Sequence, residues 1–174
     1  MLSDQALIDI AGIIGKSGTC SRLSVGAILT NDRRIITTGY NGAAAGVEHC
    51  YHPGGDDREC AKSVHAEANA IAFAAKNGVN TFGSVLYTTH SPCITCARLL
   101  INAGIKEVIY EHEYRDTRGL DELEKAGIKV TGPYGPGLST MSTPRGDPKG
   151  MYPSELSFER FENPGYSGKA TDNR

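Results

Sequence analysis

Residues 83–112 read "GSVLYTTHSPCITCARLLINAGIKEVIYEH". The run "GSVLYTTH" (83–90) is β-branched and aromatic, which predicts a strand. "CITCARLLINAG" (93–104) predicts a helix, opening after Pro92 and closing on Gly104. "KEVIYEH" (106–112) predicts a second strand. A strand, a helix and a strand this close together form a crossover unit, whose two strands lie parallel in one sheet.

The same alternation continues downstream. "RGLDELEKAG" (118–127) predicts a helix and "IKVTG" (128–132) a last strand. Upstream, "VHAEANAIAFAAKNG" (64–78) is alanine-rich and ends on Gly78, a helix with its C-cap. "SVGAILT" (24–30) and "RRIITTGY" (33–40) flank the turn "NDR" and predict a hairpin. "SDQALIDIAGIIGKSG" begins with a Ser-Asp cap and spaces Leu7, Ile10, Ala11 and Ile14 as a helix does, predicting a helix over 3–17. Residues 40–62 predict a glycine-containing loop. The order α-β-β-α-β-α-β-α-β predicts an α/β fold, a three-layer α/β/α sandwich on a mixed five-stranded sheet.

One catalytic domain is expected over 1–131, followed by a Gly/Pro-rich tail over 132–174, extended or partly disordered. Within the tail, "PSELSFERFEN" carries apolar residues at 156, 158 and 161 that would suit docking on a neighbour. Net charge is −2 and no long basic run occurs, which argues against a polynucleotide partner and leaves small anions open. The N-terminus lacks a basic n-region and no run of about 18 apolar residues occurs, so neither an export signal nor a membrane span is expected. Five cysteines, an odd number, then favour metal ligation or catalysis in the cytoplasm of a bacterium, or of a virus's host, over a disulfide framework.

Two motifs carry the chemistry. "HAE" (65–67) and "PCITC" (92–96) each fall at the start of a predicted helix. Cys93 and Cys96, three apart, share one helix face and are able to bind one ion together, and helix N-termini favour thiolates. His65 supplies a third ligand. Three protein ligands leave a fourth tetrahedral position for water, the mark of a catalytic zinc, which lowers the pKa of bound water to ~7. Glu67, on the same first turn as His65, is placed to shuttle protons. The alternative, core cysteines with a capping histidine, explains a lone CxxC but not the combination. H-x-E…P-C-x-x-C is the signature of zinc nucleobase deaminases.

With "CSRLSVGAILT", "RRIITTGYNGAAAGVEHC", "SVHAEANAIAFAAKNG", "LYTTHSPCITCARLLINAGIKEVIY" and "YRDTRGLDELEKAG", the chain resembles the deoxycytidylate (dCMP) deaminase family, including its late-competence and phage members, from about residue 19 to 131. "GYNG" together with "HAEANAI" is more specific than the zinc pattern alone. The resemblance implies a cytidine deaminase type of sandwich and hydrolysis of dCMP to dUMP and ammonia, supplying dUMP for thymidylate synthesis. It implies that Glu67 takes a proton from water, passes it to ring N3 and assists loss of the amino group. It implies substrate contacts from Asn41 and Tyr114, and it makes Arg22 the favoured phosphate contact, with Arg115 second. Each has an alternative: a left-handed turn residue for Asn41, an interface aromatic for Tyr114, a surface ion-pair partner for Arg22. His90 is a candidate pocket wall; His112 is expected at the surface. Oligomers, often hexamers, are implied, with dCTP and dTTP as candidate effectors. Other cytosine substrates (cytidine, dCTP, 5-modified dCMP) and a non-catalytic zinc module are the competing readings. The intact set His65, Glu67, Cys93 and Cys96 speaks against the module.

Cys20, Cys50 and Cys60 remain. Three thiolates need one more ligand to close a tetrahedral zinc. His52 is the first choice, since Cys50 and His52 alternate along extended chain; His49 is the other. Some family members carry a second, structural zinc in this region, matching positions 20 and 50. Free thiols, a Cys50–Cys60 disulfide, or iron are the alternatives.

Overall fold

A computed structural model describes residues 1–50, 52, 60 and 62–133. The expected tail over 132–174 lies, from 134 onward, outside the described residues. Helix α1 (Asp4–Gly15) is capped by Ser3, whose hydroxyl accepts the Ala6 N–H at 3.2 Å. Strands β1 (Gly26–Asn31) and β2 (Arg34–Tyr40) form the hairpin, with Asn31 opposite Arg34. The turn between them puts Asp32 and Arg33 at φ 46° and 59°, as a two-residue turn matched to strand twist requires. Neither residue is glycine. Part of the compensation is visible: the Arg33 guanidinium donates to Asp4 at 2.7 Å and to the Leu2 carbonyl at 3.0 Å. Asp4 also accepts from the Tyr87 hydroxyl at 2.8 Å, so one carboxylate ties α1 to the sheet.

The remaining elements are β3 (Gly42–Ala43), β4 (Ser63–Val64), α2 (Ala66–Lys76), β5 (Val85–His90), α3 (Ile94–Asn102), β6 (Glu107–His112), α4 (Arg118–Lys125) and β7 (Lys129–Thr131). The main sheet has the order β2-β1-β5-β6-β7. Pairing is antiparallel from β2 through β1 to β5 and parallel from β5 through β6 to β7, giving the expected mixed five-stranded sheet. The β3–β4 ribbon was not expected. Its first strand lies within the segment read as loop; its second follows that segment, takes Val64 from the expected helix and ends immediately before His65.

The two sheet faces show the strand period directly. Leu29, Leu86 and Val108 lie in register across three strands and pack with Ala66, Ala70, Ala97, Leu100 and Leu123 of α2, α3 and α4. Their sequence neighbours Ile28, Tyr87 and Ile109 face the other side and pack under Leu7, Ile8 and Ala11 of α1. Helices therefore cover both faces, and the alanines of α2 let it lie close to the strands.

Gly39 of β2 marks the closest approach. A Cβ there would collide with the Ala66 carbonyl and the Ala70 N–H of α2. The Thr37 hydroxyl donates to the Ala70 carbonyl at 3.1 Å on the same contact. Replacing Gly39 by Ala forces α2 outward, an overpacking expected to cost about 1–3 kcal/mol. Because α2 begins beside His65, weaker zinc retention should accompany the lower melting temperature. A Gly39→Ala protein that melts and holds zinc as wild type does would contradict this packing. Among the described residues, no helix is long and apolar enough to cross a membrane.

Candidate metal centre and catalytic cavity

The N-termini of α2 and α3 meet at the carboxyl ends of the parallel strands, where open α/β sheets place ligands. His65 and Cys93 are the N-cap residues of the two helices, with extended backbones at φ −72°, ψ 154° and φ −68°, ψ 168°. Neither side chain caps its own helix; both instead face each other. His65 Nδ1 lies 3.5 Å from Cys93 Sγ and 3.5 Å from Cys96 Sγ. Zinc–nitrogen bonds of about 2.05 Å and zinc–sulfur bonds of about 2.3 Å at a tetrahedral angle require an N···S edge of about 3.6 Å. The donor set and its spacing therefore fit a tetrahedral zinc with three protein ligands.

The thiols are strongly coupled. Its hydrogen bond with Cys96, assisted by His65, holds Cys93 down to about 4, while the same bond and burial push Cys96 well above the ordinary thiol range. Glu67, in the first turn of α2, is 4% exposed, and burial raises its carboxyl above the usual range. Its side chain hydrogen-bonds Cys96. Gly119, at the start of α4, lets that helix sit against the loop between β5 and α3, since a Cβ there would collide with the Pro92 carbonyl.

His65, Glu67 and Cys93 line one cavity. Arg22, Asn41, His90 and Tyr114 also line it. Asn41 is buried, and its side chain is committed to structure. Oδ1 accepts the Val25 N–H at 2.8 Å and Nδ2 donates to the Leu23 carbonyl at 2.6 Å. It braces residues 23–25 as a cavity wall, and it is not among the residues with positive φ. His90 meets the Thr89 hydroxyl at 3.1 Å and stacks obliquely on His112, ring centroids 5.3 Å apart. Arg115 is absent from the cavity lining. It borders an outer groove with Arg118, 5.7 Å from the Tyr114 ring. Ser91, a residue that no motif singles out, lines the cavity as well.

A second group lies beside the first. Cys20, Cys50 and His52 bring their ligand atoms within 4.8 Å of one another, with both thiols buried. Among the described residues, His52 Nε2 is buried without a hydrogen-bond partner, which is costly for an imidazole unless a ligand meets it. Burial pushes the Cys20 thiol up, but the N–H groups of Arg22 and Leu23 and the Cys50 side chain outweigh this and lower it. Burial and the neighbouring Cys60 and Cys20 push Cys50 up to about 11. Cys60 thus touches Cys50 but falls outside the three-residue group, while His49 is exposed and apart from it.

Similarity to known proteins agrees with this geometry. Residues 1–112 match the model of the cytidine and deoxycytidylate deaminase zinc-binding region. ComE operon protein 2 of Bacillus subtilis (strain 168) is 46% identical over 121 residues, covering 68% of this chain and 64% of that protein, so the chain spans somewhat under two thirds of this relative. The deoxycytidylate deaminase of Enterobacteria phage T2 is 31% identical over 168 residues, covering 72% of this chain and 89% of that one. The crystal structure of dCMP deaminase from the cyanophage S-TIM5, in complex with dCMP and dUMP, superposes with a TM-score of 0.67 at 35% identity, covering 72% and 93% of the two chains. The fold, the paired helix N-termini and the sequence matches agree, and the chain belongs to the cytidine and deoxycytidylate deaminase zinc-binding family.

Proposed function

We propose that the protein deaminates dCMP hydrolytically to dUMP and ammonia. The observation that carries this reading is the placement of Glu67 in the same cavity as His65 and Cys93, which with Cys96 bring three metal-ligating atoms together. Zinc held by these three residues would supply Lewis acidity that makes water a nucleophile near neutral pH. The chain's own residues do the rest. The Glu67 carboxylate takes a proton from water and gives it to ring N3, then takes the remaining proton of the new C4 hydroxyl and delivers it to the leaving amine. A C4–O bond forms, the C4–N bond breaks, and ammonia departs. Burial, which raises the Glu67 carboxyl, makes it a better proton acceptor than an exposed carboxylate. Asn41, Tyr114 and Arg22 line the cavity and are proposed to contact the nucleotide, Arg22 at the phosphate; Asn41 also braces that wall through Val25 and Leu23. The names of the similar proteins support dCMP as the substrate. An ultraviolet assay of dCMP, cytidine and dCTP tests the choice: dCMP should be turned over fastest, and turnover of cytidine without dCMP overturns it.

Cys20, Cys50 and His52 are proposed to hold a second, structural zinc, with Cys60 as the fourth ligand. The orphaned His52 nitrogen favours it over His49. Metal analysis should find close to two zinc ions per wild-type chain and close to one in Cys50→Ser. Equal counts in both proteins would remove this site. The cysteines used as metal ligands suit the reducing cytoplasm. A homo-oligomer, hexameric as the family resemblance suggests, and control by dCTP and dTTP complete the proposal; sedimentation and assays with each nucleotide check them.

A further inference from the structure

We propose that Ser91 is a positioning residue for the nucleotide site, its hydroxyl holding Tyr114 in the cavity wall. The inference rests on the reading of Tyr114 as a nucleotide contact.

The argument begins where the parallel ladder ends. Strands β5 and β6 finish on the pair His90 and His112. Ser91 continues the pattern for one bond, its N–H donating to the His112 carbonyl at 2.9 Å. The next slanted bond of a parallel ladder would run from the N–H of residue 114 to the backbone carbonyl of residue 91. Here the Tyr114 N–H donates instead to Ser91 Oγ at 2.8 Å. The ladder goes no further, because Cys93, whose N–H would come next on this side, is already the N-cap of α3. The side chain of Ser91 thus replaces a backbone acceptor at the point where the chain leaves the sheet.

This bond is sheltered. Ser91 is 3% exposed, so water is a poor substitute for the hydroxyl. Losing a buried acceptor leaves the Tyr114 N–H unsatisfied, which the chain relieves by moving that segment. Tyr114 borders both the catalytic cavity and the outer groove lined by Arg115 and Arg118. Its displacement would open one into the other. Ser91 has no place in the ligand set, so its effect falls on substrate binding and spares the metal.

The test is a double-mutant cycle on dCMP kinetics, with zinc content measured for every protein. Ser91→Ala should raise KM for dCMP about fivefold to tenfold, the loss expected from one hydrogen bond, with kcat within about twofold of wild type and zinc unchanged. Ser91→Thr, which keeps the hydroxyl, should restore most of the loss. Adding Ser91→Ala to Tyr114→Ala should produce no further rise. Calorimetric binding of dUMP should follow the same pattern without turnover. A rise of equal size in the Tyr114→Ala background, or lost zinc in Ser91→Ala, overturns the proposal. An unchanged KM in Tyr114→Ala alone overturns the reading of Tyr114 itself, and the inference with it.

Discussion

Glu67→Gln should lower kcat for dCMP by about 10²–10⁴-fold, the range for a positioned general acid–base group, while zinc content stays at the wild-type value. The glutamine keeps the size of the side chain in a site that is 4% exposed, so packing is preserved. It cannot accept a proton from water or deliver one to N3. KM should change little, because Glu67 is assigned to proton transfer and not to holding the sugar or phosphate. Metal analysis beside steady-state kinetics separates the outcomes. Activity within tenfold of wild type would remove Glu67 from the proton path. Loss of zinc along with activity would make it a support for the ligands instead.

Cys96→Ser should have the second large effect, of a different kind. Cys96 is buried in the first turn of α3, 3.5 Å from His65 Nδ1 and hydrogen-bonded to Glu67. Serine is nearly isosteric but a poor zinc ligand, so zinc should fall by about one ion per chain and turnover to background. Bound metal also links the starts of α2 and α3. An ion held at 1,000 times its dissociation constant stabilises the folded state by about 4 kcal/mol, so the melting temperature should fall by several degrees. Stripping wild-type protein with a chelator should reproduce the fall, and restoring zinc should reverse it in wild type but not in Cys96→Ser. A Cys96→Ser protein with full zinc content would show that the ligand set is wrong.

The architecture was legible because the strands obey a period of two and the helices carry caps. Ile28, Tyr87 and Ile109 alternate with Leu29, Leu86 and Val108, and this alternation alone places helices on both faces of the sheet. The candidate set His65, Cys93 and Cys96 was legible because a histidine and two cysteines stand at helix starts, and the fold brings these together. Other features depend on contacts distant in sequence. The β3–β4 ribbon has two residues per strand, too few to display a period. The Asp32–Arg33 turn lacks glycine and draws on an ion pair with Asp4, 29 residues away. The proposed choice of His52 over His49 draws on the buried Nε2 of His52 and the exposure of His49. Asn41 is spent on bracing Val25 and Leu23, a use that nothing in "GYNG" announces. Ser91 gains its role only because β5 and β6 stop together.

Product analysis tests the central claim most directly. Zinc-loaded protein is incubated with dCMP, the nucleotides are separated by chromatography, and released ammonia is measured in the same sample. One dUMP and one ammonia for each dCMP consumed, with Glu67→Gln inert at equal zinc content, is the predicted result. Unchanged dCMP in a sample carrying a full complement of zinc would contradict it.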